Sequence, residues 1–314
     1  MVNIKNINWN DYIIYIVFIA IFVFFAVTLG DKGFLSSQNL MNIVRQTTMI
    51  GIMAVGVTFV LSTAEIDLSF GSIVALSAIV CALVLENTDN IVISVFAGLA
   101  AGTLVGAING FFVGYVNIPS FLVTLGMTGI VAGISRNITE LRSIPIDNDT
   151  FSFIFGNGDI ANVSVLFIWL LFVGIVGAIL LNKTSFGRQV LATGGNMLSA
   201  IYSGINVSKI KMQVLMLNAF LAALAGILYA GRLEGARYTL GENDLMMVIA
   251  AVIIGGTSLF GGKGRIIGSI IGALLMGIIN NGLILMALSI DHQMILRGII
   301  IILAVTVMMK TEKK

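Results

Sequence analysis

Residues 91–116 read IVISVFAGLAAGTLVGAINGFFVGYV, and no charged side chain interrupts them. As a helix rising about 1.5 Å per residue, this run is about 39 Å long, more than the ~30 Å hydrocarbon core of a bilayer. Backbone amides and carbonyls find no water in lipid, so such a run closes its own hydrogen bonds as a transmembrane helix. Its glycines carry a second message. Gly98, Gly102, Gly106, Gly110 and Gly114 recur at every fourth position. At about 100° per residue they form one slowly rotating stripe without side chains. Such a stripe lets a second helix approach backbone to backbone, which is how helices associate where lipid offers no hydrophobic contrast. Gly268 and Gly272 repeat the device further along, with Gly277 less regularly placed.

The rest of the chain agrees with this stretch. It has 314 residues, 58% hydrophobic and only 10% charged, with a mean hydropathy of +1.05. Soluble domains carry about 25% charged residues, so no water-soluble surface can be assembled from this stock. Apolar runs long enough to span recur near 12–30, 40–61, 68–85, 91–116, 119–136, 163–181, 211–231, 245–260, 266–286 and 293–309. The expected fold is all-α: one polytopic transmembrane helix bundle of about ten spans, filling residues 1–314. The first run exceeds the apolar core of a signal peptide and no small-x-small cleavage site follows it. It reads as a retained span, with Trp9, Tyr12 and Tyr15 as interfacial anchors.

Charge distribution sets the orientation. With both termini cytoplasmic, the inner segments hold Lys5, Lys183, Arg188, Lys209, Lys211, Lys263, Arg265, Lys310, Lys313 and Lys314. The outer segments hold Lys32, Arg136, Arg142, Arg232 and Arg237, while Arg45 and Arg297 fall within spans. Ten basic residues inside against five outside is the bias of the positive-inside rule, and the opposite orientation reverses it.

Two connections are long. Residues 137–162, an extracytoplasmic loop in this layout, are polar with Phe and Ile interspersed. Residues 182–210, on the cytoplasmic side, contain a helix-sized segment from Asn196 to Ser203, bracketed by Gly194, Gly195 and Gly204. Glycines around a short helix are ordinary capping chemistry. The segment is either a folded connector or a docking element. Pro119 stands where a helix starts, as its fixed φ favours. The single cysteine, Cys81, sits in an apolar run and reads as a small buried residue.

The stretch GGTSLFGGKGR, residues 255–265, suggests a phosphate-binding loop, but its spacing excludes one. A Walker A loop needs glycine six residues before the lysine and a hydroxyl residue after it. Thr257 lies at the expected glycine's place, counting five back from Gly262, and Gly264 follows Lys263. The stretch is expected to be a tight connection between two packed spans.

Polar groups at membrane depth mark a path or a reaction by default. The deep candidates are mild: Thr58, Asn109, Asn218, Asn280 and Asn281. Each either bonds a neighbouring helix or lines a route for a hydroxylated solute, because amides and hydroxyls both donate and accept. Glu65 and Asp67 lie between the second and third spans, where Asp67 reads as a helix N-cap. His292, the single histidine, reads as structural. No H-E-x-x-H, Cys/His cluster or G-x-S-x-G is present, so metal and nucleophile chemistry have no foothold. No acid is expected near mid-depth, where ion-coupled transporters place one. Either the chain is a passive pore, or the work comes from a partner protein.

Several stretches point the same way: IDLSFGSIVALSA, IPSFLVTLGMTGIVAGI, ATGGNMLSAIYSGINVSKIK, LAALAGILYAGRL and VIIGGTSLFGGKGRIIGSIIGALLMGIINNGL. Together they resemble the permease subunits of bacterial ABC importers for monosaccharides, of the ribose and autoinducer-2 type. The resemblance runs from about residue 40 to the C-terminus. It implies a permease that pairs with a second copy or a paralogue in the lipid bilayer. It further implies a cytoplasmic ABC ATPase and an extracytoplasmic solute-binding protein as partners, and no nucleic acid. ATP and magnesium would sit on the ATPase, with no cofactor on this chain. The resemblance makes Gly194, Gly195, Asn196, Ser203, Gly204, Ile205 and Asn206 the segment that couples to that ATPase. Alternatives are an ABC permease for nucleosides or branched-chain amino acids, or a secondary transporter or facilitator.

Overall fold

A computed structural model describes residues 13–161, 163–289, 291–296, 298–300, 302 and 306. Lys5, Trp9 and Tyr12, eight residues of the tenth expected span including Arg297, and the C-terminal lysines lie outside the described residues; the described residues of that span are helical.

Among the described residues, seven helices are long and apolar enough to cross a membrane. They are α2 (Ser37–Ser62), α3 (Phe70–Thr88), α4 (Ile91–Gly114), α5 (Ser120–Thr139), α7 (Val165–Lys183), α10 (Val207–Leu233) and α12 (Ile266–Leu285). Two shorter apolar helices, α1 (Ile13–Thr28) and α11 (Asp244–Ile254), match the first and eighth expected spans. The eighth was expected over 245–260 but stops at Ile254. Gly255 and Gly256 end it, and Gly256 turns the chain with φ of +88°. Short helices fill the two long connections: α6 (Asp149–Ser152) in the first, α8 (Ser185–Gly195) and α9 (Met197–Tyr202) in the second.

The helices start where short polar side chains can hold free amides. Ser36, Asn90, Asn148, Ser164 and Thr184 each accept a hydrogen bond from an amide in the first turn they precede. Pro119 precedes α5 directly.

Two helices organise the bundle. α10 packs along α4, α3 and α2, while α2 also packs on α12, α7 and α11. The glycine stripe of α4 descends α10 in antiparallel order. A Cβ at Gly102 would press on Ala223, one at Gly106 on Ala219, one at Gly110 on Met212 and one at Gly114 on the Ser208 carbonyl. Gly268 and Gly272 do the same in the α11–α12 pair, facing Gly255 and the Ala251 carbonyl. Outward faces stay apolar, as on α4 and α5, where Phe96, Leu104, Leu122 and Ile130 are exposed. Lipid tails are as apolar as leucine, so such faces suit a bilayer.

Opposite the 182–210 connection, the 137–162 loop folds against the loop that follows α10. β1 (Ile144–Pro145) pairs antiparallel with β4 (Gly235–Ala236), and β2 (Asp159–Ile160) with β3 (Val163–Ser164). Phe151 and Phe155 are buried, Phe155 stacks on Trp169, and Trp169 donates to the Ile154 carbonyl at 3.1 Å. The 137–162 loop is thus a folded cap rather than a plain polar connection.

Candidate functional site

Three features share the bundle: a bracketed surface helix, a buried loop beneath it, and a cavity at the far end of α10.

The surface helix is α9. Asn196 closes α8 and opens α9, its side chain accepting from the Ser199 amide at 2.9 Å. Gly204 ends α9 with φ of +81°, a left-handed turn that suits glycine. Asn206 then caps α10 by accepting from the Lys209 amide at 3.0 Å. The bracket was legible; Gly194 and Gly195 precede α9 as expected and also finish a second helix, α8, which was not. Between its caps α9 exposes Met197, Leu198, Ile201 and Tyr202, the last 88% exposed, over a buried Ala200. Four apolar side chains at positions i, i+1, i+4 and i+5 share one helix face and form a ready contact surface.

Beneath it lies a backbone junction. A Cβ at Gly194 would overlap the Ser62 carbonyl oxygen, and one at Gly261 would lie 2.6 Å from the Gly194 carbonyl. The Gly262 amide donates to Ser62 at 3.0 Å. Gly261 and Gly262 both take positive φ, at +84° and +73°. The 255–265 stretch is therefore a tight turn seated on the end of α2 and on the α8 terminus. Thr257 accepts from the Arg265 amide at 3.1 Å and holds its base together.

From Ser62 the chain re-enters the bundle before α3 starts. Its extended backbone has no strand neighbour, and α5 supplies the partners. Ser120 accepts from the Ile66 amide at 3.0 Å, Thr124 from the Leu68 amide at 3.1 Å, and Thr128 donates to the Leu68 carbonyl at 3.1 Å. A stripe of hydroxyls at every fourth position thus satisfies irregular backbone inside protein, the condition under which such backbone is tolerated at membrane depth. That spacing was visible in the sequence and was missed.

Asp67 sits on this loop, 3% exposed. It was expected to cap a helix, but α3 begins at Phe70 with Ser69 in the cap position. Instead the carboxylate takes Ser69 N–H at 2.8 Å, Ser69 O–H at 2.7 Å and the Asn218 amide at 2.9 Å, while Asn109 donates to Ser69 at 2.8 Å. Asn218 lies eleven residues into α10, about 17 Å from its start. The expectation of no acid near mid-depth is thereby overturned. The loop's re-entry carries Asp67 there, which linear hydropathy does not show. Glu65 pairs with Lys211 at 2.5 Å and pins the loop to the second turn of α10.

The cavity holds about 250 Å³ between α2, α10, α11 and α12. Its polar lining is Gln46, Thr47, Tyr229, Arg232, Asp244 and Asn280. Arg232 is at the end of α10 opposite the surface helix. Of the five deep residues weighed for a path, the structure sets Asn280 on the cavity wall. Thr58 bonds Ser269 at 2.8 Å, Asn281 exchanges two hydrogen bonds with Asn39 at 2.9 and 3.0 Å, and Asn109 and Asn218 belong to the Asp67 cluster. These four join helices and do not meet Asn280. Tyr229, Arg232 and Asp244 were not singled out from sequence, because an arginine and an aspartate at span ends read as loop charges. His292 bonds Ser289 at 2.6 Å, and Cys81 is buried. Among the described residues no group of three or more His, Cys, Asp or Glu is placed to hold a metal ion.

Residues 39–305 match the family described as branched-chain amino acid transport system / permease component. The chain is 40% identical over 284 residues to the ribose import permease protein RbsC of Escherichia coli K12, covering 88% of this chain and 87% of the relative. It is 36% identical over 281 residues to the ribose import permease protein RbsC of Bacillus subtilis 168, covering 89% and 87%. It is also 35% identical over 301 residues to the D-allose transport system permease protein AlsC of Escherichia coli K12, covering 95% and 91%. No solved structure matches the chain.

Proposed function

The chain belongs to the family of branched-chain amino acid transport system permease components, and from that premise we propose that it is the membrane-spanning subunit of an ATP-driven importer for a monosaccharide or similar small polyol. It is a multi-pass protein of the cell membrane. The observation that carries the reading is the junction of Gly194, Ser62 and Gly262 beneath an exposed apolar helix. A push on α9 reaches α2 through backbone contacts, with no flexible side chain between. Relatives named for ribose and D-allose import favour a sugar over a branched-chain amino acid.

In this reading Gly194, Gly195, Asn196, Ser203, Gly204, Ile205 and Asn206 form the frame that seats in a separate cytoplasmic ATPase. ATP and magnesium belong to that partner. The folded cap over residues 137–162 faces an extracytoplasmic solute-binding protein, and a second permease copy or paralogue completes the pore. The reading carries about ten spans with both termini cytoplasmic; for the N-terminal end it is supported by Ile14 and Tyr15 lying beside Asn182 and Arg265 around one small cavity, at the end of the bundle that carries the basic loops. Uptake of labelled sugar should survive a protonophore while ATP is maintained and stop when the ATPase partner is deleted. Uptake by this chain alone overturns the reading.

A further inference from the structure

We propose that the cavity between α2, α10, α11 and α12 is a binding station for one neutral polyhydroxylated ring, oriented by Arg232, Asp244 and Asn280. The inference rests on the importer reading and adds the place where solute is held.

Size is the first argument. About 250 Å³ is near the lower end of small-ligand pockets, roughly 300–1,000 Å³, and suits one sugar ring rather than a chain of them. The lining is the second. Arg232 makes no hydrogen bond or ion pair with the described residues, so its donors remain open toward the cavity it lines. The Asn280 carbonyl oxygen is buried without a partner. A buried polar atom without a partner costs about 1–3 kcal/mol, which a bound hydroxyl would recover. Asp244 accepts from the Tyr229 hydroxyl at 2.7 Å, which fixes its carboxylate as an acceptor on the wall.

Charge is the third. One guanidinium and one carboxylate line the same space, so an anion attracted by Arg232 is repelled by Asp244, and a cation the reverse. Hydroxyls donate and accept, and satisfy both. A free amino acid also carries both charges, but it would use only that pair and leave the buried Asn280 side-chain oxygen unmatched. Met247 and Met276 complete the wall with soft apolar surface for the C–H face of a ring. Gly277 makes the cavity possible: a Cβ there would overlap the Thr47 methyl and change the α2–α12 spacing.

The test uses the complete transporter, permease with the ATPase and binding protein that co-purify with it, in proteoliposomes. Delivery of labelled D-ribose per ATP hydrolysed is measured for wild type, Arg232→Gln and Asn280→Leu. The expected result is at least a tenfold lower ratio in each variant. A ratio within twofold of wild type in both overturns the proposal. Met247→Ala provides a readout that misfolding cannot mimic: the ratio of D-allose to D-ribose delivered should rise at least threefold, and an unchanged ratio counts against the cavity. Delivery of labelled leucine by wild type with no sugar delivered overturns the importer reading itself. Wild-type sugar delivery with unaffected variants overturns only the assignment of the cavity.

Discussion

Gly262 donates its backbone amide to the carbonyl oxygen of Ser62 at 3.0 Å, joining the glycine-rich turn to the last residue of α2. Gly194 lies against both, so three segments distant in sequence meet through main chain alone. α2 continues as a rod from this junction to Gln46 and Thr47, sixteen and fifteen residues away, on the cavity wall. Movement at the surface helix and shape at the cavity are two ends of one helix.

Gly194→Val should break the junction. Its side chain has to displace the Ser62 carbonyl, and overpacking of this kind costs about 1–3 kcal/mol. The expected outcome is a permease that inserts, melts several degrees lower by size-exclusion thermal shift, and loses at least tenfold in ATP-driven uptake. Gly194→Ala should fall between valine and wild type.

The two classes of helical glycine should respond in opposite directions. Gly106→Ala places a methyl against Ala219 and the Leu215 carbonyl, pushing α4 from α10. A loss of about 1–3 kcal/mol is expected. Gly126→Ala on α5 meets nothing within 4 Å and should be neutral or stabilising by up to about 1 kcal/mol through helix propensity. Unfolding of both variants in mixed detergent micelles compares them directly.

Asp67 and Asn218 should be energetically coupled. Removing either leaves the other buried with an unmet partner. A double-mutant cycle of Asp67→Ala and Asn218→Ala is expected to return an interaction of about 1–3 kcal/mol. Simple additivity would show that the cluster does not act as a unit. Because Asn218 also stands against Gly56, Asn218→Ala alone should not open the α2–α10 contact.

The α9 face should bind the ATPase through its most exposed side chains. Tyr202→Ala removes an aromatic anchor 88% exposed in this chain. Anchors of this type are worth about 2 kcal/mol or more at interfaces, roughly thirtyfold in affinity. ATPase recovered by co-purification should fall accordingly while permease yield is unchanged. Gly204→Asp, which places a charge at the left-handed turn closing α9, should have the same effect.

Much of the architecture was legible because its causes are local. Apolar runs specify spans wherever backbone must bond to itself, glycine every fourth residue specifies a close helix contact, and Asn196 with Gly204 specifies a bracketed turn. None of these depends on which other segment is nearby. The eighth span failed by a few residues because hydropathy does not distinguish the end of α11 from the apolar turn that follows Gly256.

The chain's composition and periodicity by themselves determined a membrane-embedded helical bundle, its close-packing stripes and a capped helix in the 182–210 connection. Tertiary structure alone decided that Asp67 lies deep among α3, α4 and α10, that α5 hydroxyls support a re-entrant loop, and that Arg232, Asp244 and Asn280 share one cavity. The physical reason is separation along the chain. The hydrogen bond between residues 67 and 218 spans 151 positions, and no local preference encodes which distant partner completes a buried polar group. Packing does.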